Sequence, residues 1–368
     1  MKIVFIIPNI YPSGPVNVVY NIAKSLGSKH ELTILTFHDR SEEDLTVKFE
    51  NLGVQVLNIK SSWLLSFFPF LNRHLKILNK INPDIVNVHG LRPTILAMFT
   101  KYKTISTIHS CVLADFTFEY GSLISKLSWS LYKYALNNIT GIISVSKSVG
   151  NFLKSEGINS FVIENGIDTL KWRPPTKNER KNARGIYCPS ESLVIAVVGR
   201  LIERKNVSFL LRALTALDTD IQIEIFIAGE GPQKSKLEIE SNNIKSKNIK
   251  INFIGEIADV RKLYWASDIL VSCSKSEGAP MAILEAVSSG IPVCLSNIDS
   301  HREIISHNEK LGRLFDINSI SDFHRQFLIL ASQPIKSTKY NPIARTCYDS
   351  NIAALKYIEC FEASIKYN

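Results

Sequence analysis

The chain has no run of the roughly 20 consecutive apolar residues that a membrane-spanning helix requires. Residues 3–7 are apolar but stop at Pro8-Asn9, and residues 63–71 are interrupted by Ser66 and Pro69. The first run follows Met1-Lys2 as a signal peptide would, yet no small-residue cleavage site comes after it, so it reads as a buried strand. A cytoplasmic protein is expected, able to associate peripherally with the inner face of the cell membrane. The six cysteines form no C-x-x-C pair and lie far apart, several in apolar runs, which argues against a disulfide framework or a metal site. No metal or other cofactor is expected. No basic tail is present: residues 1–168 carry +4 and the remainder +5 of the total +9, an even spread that disfavours nucleic acid as partner. G-x-G-x-x-G is also absent, which leaves little case for a dinucleotide enzyme.

What the chain does contain is a strand–helix alternation over 368 residues, long enough for two domains. Residues 3–7 and 32–37 are strand-like, with helical spacing between them at Val18, Val19, Ile22, Ala23 and Leu26. Residues 84–88, 104–108 and 141–145 are further strands, and 71–79 and 122–136 helices. The rhythm breaks at Trp172-Arg173-Pro174-Pro175, and the charged cluster Lys177, Arg180, Lys181, Arg184 reads as a solvated linker. It resumes with strands at 193–198, 221–228, 249–253, 269–272 and 292–295 and a helix at 281–288 that stops at Gly290. The expected architecture is α/β, two Rossmann-like domains facing a central cleft. The first spans 1–170 and binds the acceptor, 171–190 is the linker, and 191–344 binds the donor. Residues 345–368 form a helical segment packing back on the first domain.

Ligands of open α/β sheets bind outside the strand C-termini, so polar residues there carry the functional reading. One group follows the strand ending at Ser272: Glu277, Gly278, Ala279, Met281, Ala282 and Glu285. Gly278 permits close backbone approach, and the amides of Ala279, Met281 and Ala282 at a helix N-terminus suit a diphosphate. Glu285, a turn inside the helix, can reach a hydroxyl pair such as a ribose diol, and Glu277 stands nearer the sugar. In isolation the two glutamates would be a helix cap and a solvated side chain; the strand, glycine loop, helix, Gly290 and Pro292 around them favour the donor site. A second group, Gly199, Arg200, Arg204 and Lys205, follows the strand at 193–198. Arg200 offers a planar fork and Lys205 a point charge to phosphate, Arg204 at best a supporting charge; alone these would be a basic surface turn.

With these motifs the sequence resembles the retaining glycosyltransferases of family four, also called group 1, which have the two-Rossmann, B-type fold. The E-x₇-E signature falls on Glu277 and Glu285 within "EG-x-P…LEA…G-x-PV", and "GRL…K" on Arg200 and Lys205. The resemblance implies that Glu277 contacts the donor sugar and Glu285 the nucleotide ribose. It implies retention of anomeric configuration, and with no carboxylate to nominate as nucleophile, a front-face displacement is expected. In the first-strand loop Gly14 matches the first of two family glycines, while Pro15 replaces the second and donates no N–H. His109 matches the family histidine near the transferred sugar, while His89 is either a second cleft residue or a support of the sheet edge. Asn165 and Asp168 fall in the family's "NG-[VI]-D" hinge, otherwise an ordinary turn. Gly229-Glu230-Gly231-Pro232 matches "G-x-GP", and Phe253-Ile254-Gly255 is a strand end where the base often lies.

The activity expected is hexosyl transfer from a nucleotide diphosphate sugar to a hydroxyl of a glycan or lipid-linked acceptor, as in bacterial surface polysaccharide assembly. Arg200, Lys205, Glu277 and His109 are the expected catalytic residues. Trp63, Leu64, Leu65, Phe67, Phe68 and Phe70, followed by Arg73, His74, Lys76 and Lys80, form either core or a contact for an anionic membrane surface. A nucleotide-sugar epimerase of the same fold and a non-catalytic nucleotide-sugar-binding protein remain as alternatives.

Overall fold

The structure is a computed structural model that describes residues 1–37, 41, 44–59, 67–188, 191–332 and 345–366. It divides into two compact units, Met1–Ile167 with Asp349–Asn368, and Asp168–Tyr348. Each unit is built on one parallel sheet.

The first sheet comprises β1 (Lys2–Ile7), β2 (Glu31–Thr36), β3 (Gln55–Asn58), β4 (Ile85–His89), β5 (Thr104–Ile108), β6 (Gly141–Ser144) and β7 (Phe161–Val162). Their spatial order is β3-β2-β1-β4-β5-β6-β7. The strands of its centre are buried nearly end to end, as sequences covered on both faces must be. Val4, Ile6, Leu35, Val86 and Val88 are part of one shared core. The helix Ser350–Lys366 belongs to this unit and packs on the helix Gly14–Leu26. A Cβ on Gly166 would lie 2.5 Å from the Ser350 Cα, so only glycine lets the two segments come this close.

The second sheet comprises β8 (Leu193–Val198), β9 (Ile223–Ala228), β10 (Ile249–Gly255), β11 (Ile269–Ser272), β12 (Val293–Ser296) and β13 (Gly312–Phe315). Its order, β10-β9-β8-β11-β12-β13, is that of a Rossmann fold. Both units thus belong to the expected α/β class. In each, the order reverses beside the first strand, between β1 and β4 and between β8 and β11. A crevice opens at that point, outside the carboxyl ends of the strands.

The linker reading of 171–190 is corrected by the structure. A helix runs from Lys177 to Tyr187 inside the second unit, opened by a capping box in which the Glu179 amide donates to Thr176 Oγ1 (3.2 Å) and the Thr176 amide to Glu179 (2.8 Å). Arg180 and Arg184, taken as solvated, close on the buried Asp268 at 2.5 and 3.0 Å. The charges made the segment look like a linker because their partner lies more than eighty residues away. Trp63, Leu64 and Leu65 of the aromatic segment lie outside the described residues, as do the side chains of Phe67, Phe68 and Phe70. Of the cations that follow, Arg73, Lys76 and Lys80 are exposed, but His74 is buried and burial pushes its pKa down to about 4, so it adds no charge. Among the described residues no helix is long and apolar enough to cross a membrane.

Candidate functional site

In the second unit the loops after β8 and β11 meet at the switch point. Gly199 leaves β8 with φ near 145° and is held by its own amide on the Ala228 carbonyl (3.0 Å). The Gly229-Glu230-Gly231-Pro232 turn lies against it. A Cβ on Gly229 would stand 2.0 Å from the Gly199 carbonyl oxygen, so the spacing of the two loops depends on glycine there. The chain then makes a short 3₁₀ turn, Glu203–Lys205, ending in Asn206 in the left-handed region. This turn points Arg204 and Lys205 toward the β11 loop, and the Lys275 amide on the Arg204 carbonyl (2.8 Å) ties the two loops together.

Glu277 is the meeting point. Lys205 Nζ lies 2.5 Å from Oε1 and Arg204 Nη1 2.9 Å from Oε2, while Ser274 Oγ donates to Oε1 at 2.7 Å. Arg204 also donates to the Ser276 carbonyl (2.7 Å). Arg204 is therefore a full partner of the glutamate rather than a supporting charge. Burial by itself raises the Glu277 pKa, but the Lys205 and Arg204 charges, with hydrogen bonds from Lys205 and Ser274, outweigh it and hold the carboxyl at about 2. Arg200 differs: it is exposed, and among the described residues it forms no ion pair. A pocket lined by Val198, Gly199, Arg200, Lys205, Ser272 and Ser274 sits between the two strand ends.

The helix beyond the loop starts at Met281 after Pro280. Met281 and Ala282 supply its first amides, whereas Gly278 and Ala279 precede it, so Ala279 is not within the helix N-terminus as expected. Glu285 lies on its second turn, half-buried, with the Tyr264 hydroxyl 3.5 Å from its carboxylate. Burial pushes its pKa up to about 8, against the opposing pull of Lys171 and Tyr264. Asp168 positions that lysine: its Oδ1 accepts from the Leu170 and Lys171 amides at 3.1 and 3.0 Å. The chain passes from one unit to the other between Ile167 and Asp168, and Asn165 is buried on the first side. Gly14 is the exposed first residue of its helix, with Pro15 in the first turn as anticipated.

The two histidines form a directed chain in the first unit. Asn87 Nδ2 donates to the Ile105 carbonyl (3.0 Å), which can only accept. Asn87 Oδ1 consequently accepts from His89 Nε2 (2.8 Å), and His89 Nδ1 accepts from His109 Nε2 (2.7 Å). His109 is left with Nδ1 as a hydrogen-bond acceptor. Burial lowers both imidazole pKa values, His109 to about 4 and His89 well below its usual value with the help of its neighbour's charge, so the pair is neutral near pH 7. His89 is fully buried and serves as the partner of His109. Sequence reasoning missed Asn87, Ser274, Tyr264 and Lys171. A polar residue inside an otherwise apolar strand, as Asn87 is in β4, was the one available signal.

Comparison with known proteins bears on the family and the fold. The family model for glycosyltransferase family 4 matches residues 12–171 and that for glycosyl transferases group 1 matches 179–346. The chain belongs to this glycosyltransferase family. It is similar to the O-antigen biosynthesis glycosyltransferase WclY of Escherichia coli, 28% identical over 97% of both chains. It is 23% identical, over 97% of this chain and 96% of the other, to a Campylobacter jejuni α-1,4-N-acetyl-D-galactosaminyltransferase whose name specifies a diNAcBac-PP-undecaprenol glycan. Among solved structures, Anabaena HepE in complex with UDP-glucose superposes with a TM-score of 0.83 at 17% identity, covering 99% of this chain and 100% of that one. The epimerase and non-catalytic alternatives are not favoured by these likenesses.

Proposed function

We propose that the chain is a retaining, metal-independent hexosyltransferase that moves a sugar from a nucleotide diphosphate donor to a hydroxyl of a glycan or lipid-linked glycan in bacterial surface polysaccharide assembly. The observation that carries the reading is the cluster of Arg200, Arg204, Lys205 and Glu277 at the switch point of the second sheet. Three cations and the amides of Met281 and Ala282 supply the positive charge that a leaving diphosphate needs. Glu277 contacts the donor sugar and Glu285 the ribose hydroxyls. In the transfer, the bond between the anomeric carbon and the diphosphate oxygen breaks with its electron pair leaving on the phosphate. The acceptor hydroxyl bonds to the same face, and its proton passes to the departing diphosphate. His109, neutral and presenting Nδ1, accepts a hydrogen bond from a substrate hydroxyl and orients it. Gly14 and Gly199 allow close backbone approach, and Asn165 and Asp168 shape the turn between the units. The names of the two bacterial relatives support the polysaccharide role and the lipid-linked acceptor.

The test is calorimetry with UDP, GDP, ADP and dTDP in the presence of EDTA, on wild-type protein and on Arg200→Ala/Lys205→Ala. One diphosphate should bind tightly and be lost in the double variant. The corresponding sugar donor should then yield a product with the donor's anomeric configuration by NMR. Folded protein that binds none of the four, or an inverted product, would overturn the reading.

A further inference from the structure

Glu277 is held by more than its cations: a file of polar side chains reaches it from β12. That strand ends at Ser296, and His301 lies in the first turn of the helix Asp299–Ser306 that follows. His301, Ser296 and Ser274 are all fully buried. His301 Nδ1 stands 2.8 Å from the Ser296 carbonyl oxygen, which can only accept, so Nδ1 carries the ring proton. The same nitrogen lies 3.2 Å from Ser296 Oγ. Ser296 Oγ donates to the Ser274 carbonyl at 2.6 Å, and Ser274 Oγ donates to Glu277 Oε1 at 2.7 Å. Ser272 Oγ, 3.2 Å from Ser274 Oγ, is left to donate to it. Every donor in the file thus points toward the carboxylate, the arrangement in which successive hydrogen bonds reinforce one another.

Packing alone does not account for these groups. Val293, Cys294 and Leu295 beside them are apolar and equally buried, and a buried hydroxyl or imidazole costs stability unless it is paired. At His301 the pairing is one-sided. Burial brings its pKa down to about 4, against the pull of Glu277, so the ring is neutral near pH 7 and Nε2 is a bare acceptor. Among the described residues no donor reaches Nε2, so the imidazole acts through Nδ1 alone. At the other end of the file, Ser274 shares Oε1 with Lys205 and leaves Oε2 to Arg204.

We propose that His301 and Ser296 are positioning residues: through Ser274 they set the orientation of Glu277, and with it the carboxylate face offered to the donor sugar. Neither residue touches the glutamate or a substrate. The proposal rests on the reading of Glu277 as the sugar contact, and it adds β12 and the helix after it to the elements that build the donor site.

Two measurements on the full chain test it, one of them without ligand. Carbon NMR at pH 7 reads the Glu277 carboxyl, assigned with Glu277→Gln. Its signal should be displaced in Ser296→Ala and His301→Leu and return to the wild-type position in His301→Asn. Asparagine places an amide N–H near the position of Nδ1 and nothing at Nε2, whereas leucine, of similar size, offers no donor. The second measurement uses the sugar nucleotide of whichever diphosphate binds, UDP, GDP, ADP or dTDP, and follows release of the free diphosphate. Ser296→Ala and His301→Leu should lower kcat about tenfold and His301→Asn should recover most of it, with affinity for the free diphosphate within about twofold of wild type in all three. Ser296→Ala keeps the test available if His301→Leu does not fold. Folded variants with a wild-type carboxyl signal and wild-type turnover would overturn the proposal. So would an asparagine variant as impaired as the leucine one, or diphosphate affinity that falls in step with turnover, since either marks a general structural role. Displaced carboxyl signals in a protein that binds none of the four diphosphates would support the file to Glu277 and overturn the donor-site reading instead.

Discussion

Glu277 serves stability and opposes anion binding, and its replacement by glutamine should separate the two effects. The glutamine keeps the shape of the side chain and its contact with Ser274 but removes the negative charge between Lys205 and Arg204. The displacement of the Glu277 pKa from 4.5 to about 2 corresponds to about 3 kcal/mol of stability, at about 1.4 kcal/mol per unit. Because the folded-state pKa is depressed, this stability is present above about 4.5 and is lost as pH falls toward 2. Glu277→Gln should lose an amount of this order at pH 7 and show little further loss over that acidic window. Binding of the free nucleoside diphosphate should change in the opposite direction. Both cations are committed to Glu277 in the wild type and are released in the variant. Removing one like charge about 10 Å from a diphosphate relieves about 1.7 kcal/mol per unit of diphosphate charge at an effective dielectric near 20, before screening by salt, so affinity should rise at least about tenfold. Sugar transfer should nevertheless collapse. Calorimetry with the diphosphate lacking its sugar avoids the hydroxyl contacts, and urea denaturation from pH 2.5 to 7 reads the stability term. A folded Glu277→Gln protein that binds the diphosphate no better than wild type, with the wild-type pH dependence of unfolding, would refute this electrostatic account.

Three further expectations follow from the same geometry. Glu285, with its pKa raised to about 8, is largely protonated at pH 7, and on the proposed reading the ribose hydroxyls donate to its carboxylate form. Nucleotide affinity should therefore rise between pH 6.5 and 8.5 with release of a proton, seen as a buffer-dependent binding enthalpy, while stability falls as pH rises through that range; Glu285→Gln should flatten both. Asn87→Leu removes the acceptor that sets the tautomer of His89 and, through it, of His109. It should reduce kcat about tenfold with unchanged diphosphate affinity, and nitrogen NMR should show His109 Nε2 no longer uniformly protonated; an unchanged ring spectrum would remove the relay from consideration. Gly229→Ala forces a methyl into the Gly199 carbonyl and a strained φ, at a cost of about 3 kcal/mol or more, and should lower both the melting temperature and diphosphate affinity.

The parts of this protein legible in the sequence are those whose physics is local. Fully buried parallel strands such as β1 and β8 show as continuous apolar runs, and the helix at Met281–Ser288 announces itself through its preceding glycine loop and its terminal Gly290. Short edge elements were not legible: β3 and β7 are only half covered or exposed, so no apolar run marks them. The same limit governed the charges. Arg180 and Arg184 seemed solvated because Asp268 is remote in sequence, and Arg204 seemed secondary because nothing local distinguishes a cation that reaches Glu277 from one that reaches water. Motif spacing singled out the glutamates and basic residues that the second unit brings together, but not their pairing, and it is the pairing that fixes the consequences. A carboxylate held near pH 2 by two cations and another pushed toward 8 by burial stand eight residues apart in one loop and helix. The E-x₇-E spacing describes them as equivalent, whereas the packing around each makes the first a permanent anion and the second a group that titrates near neutral pH.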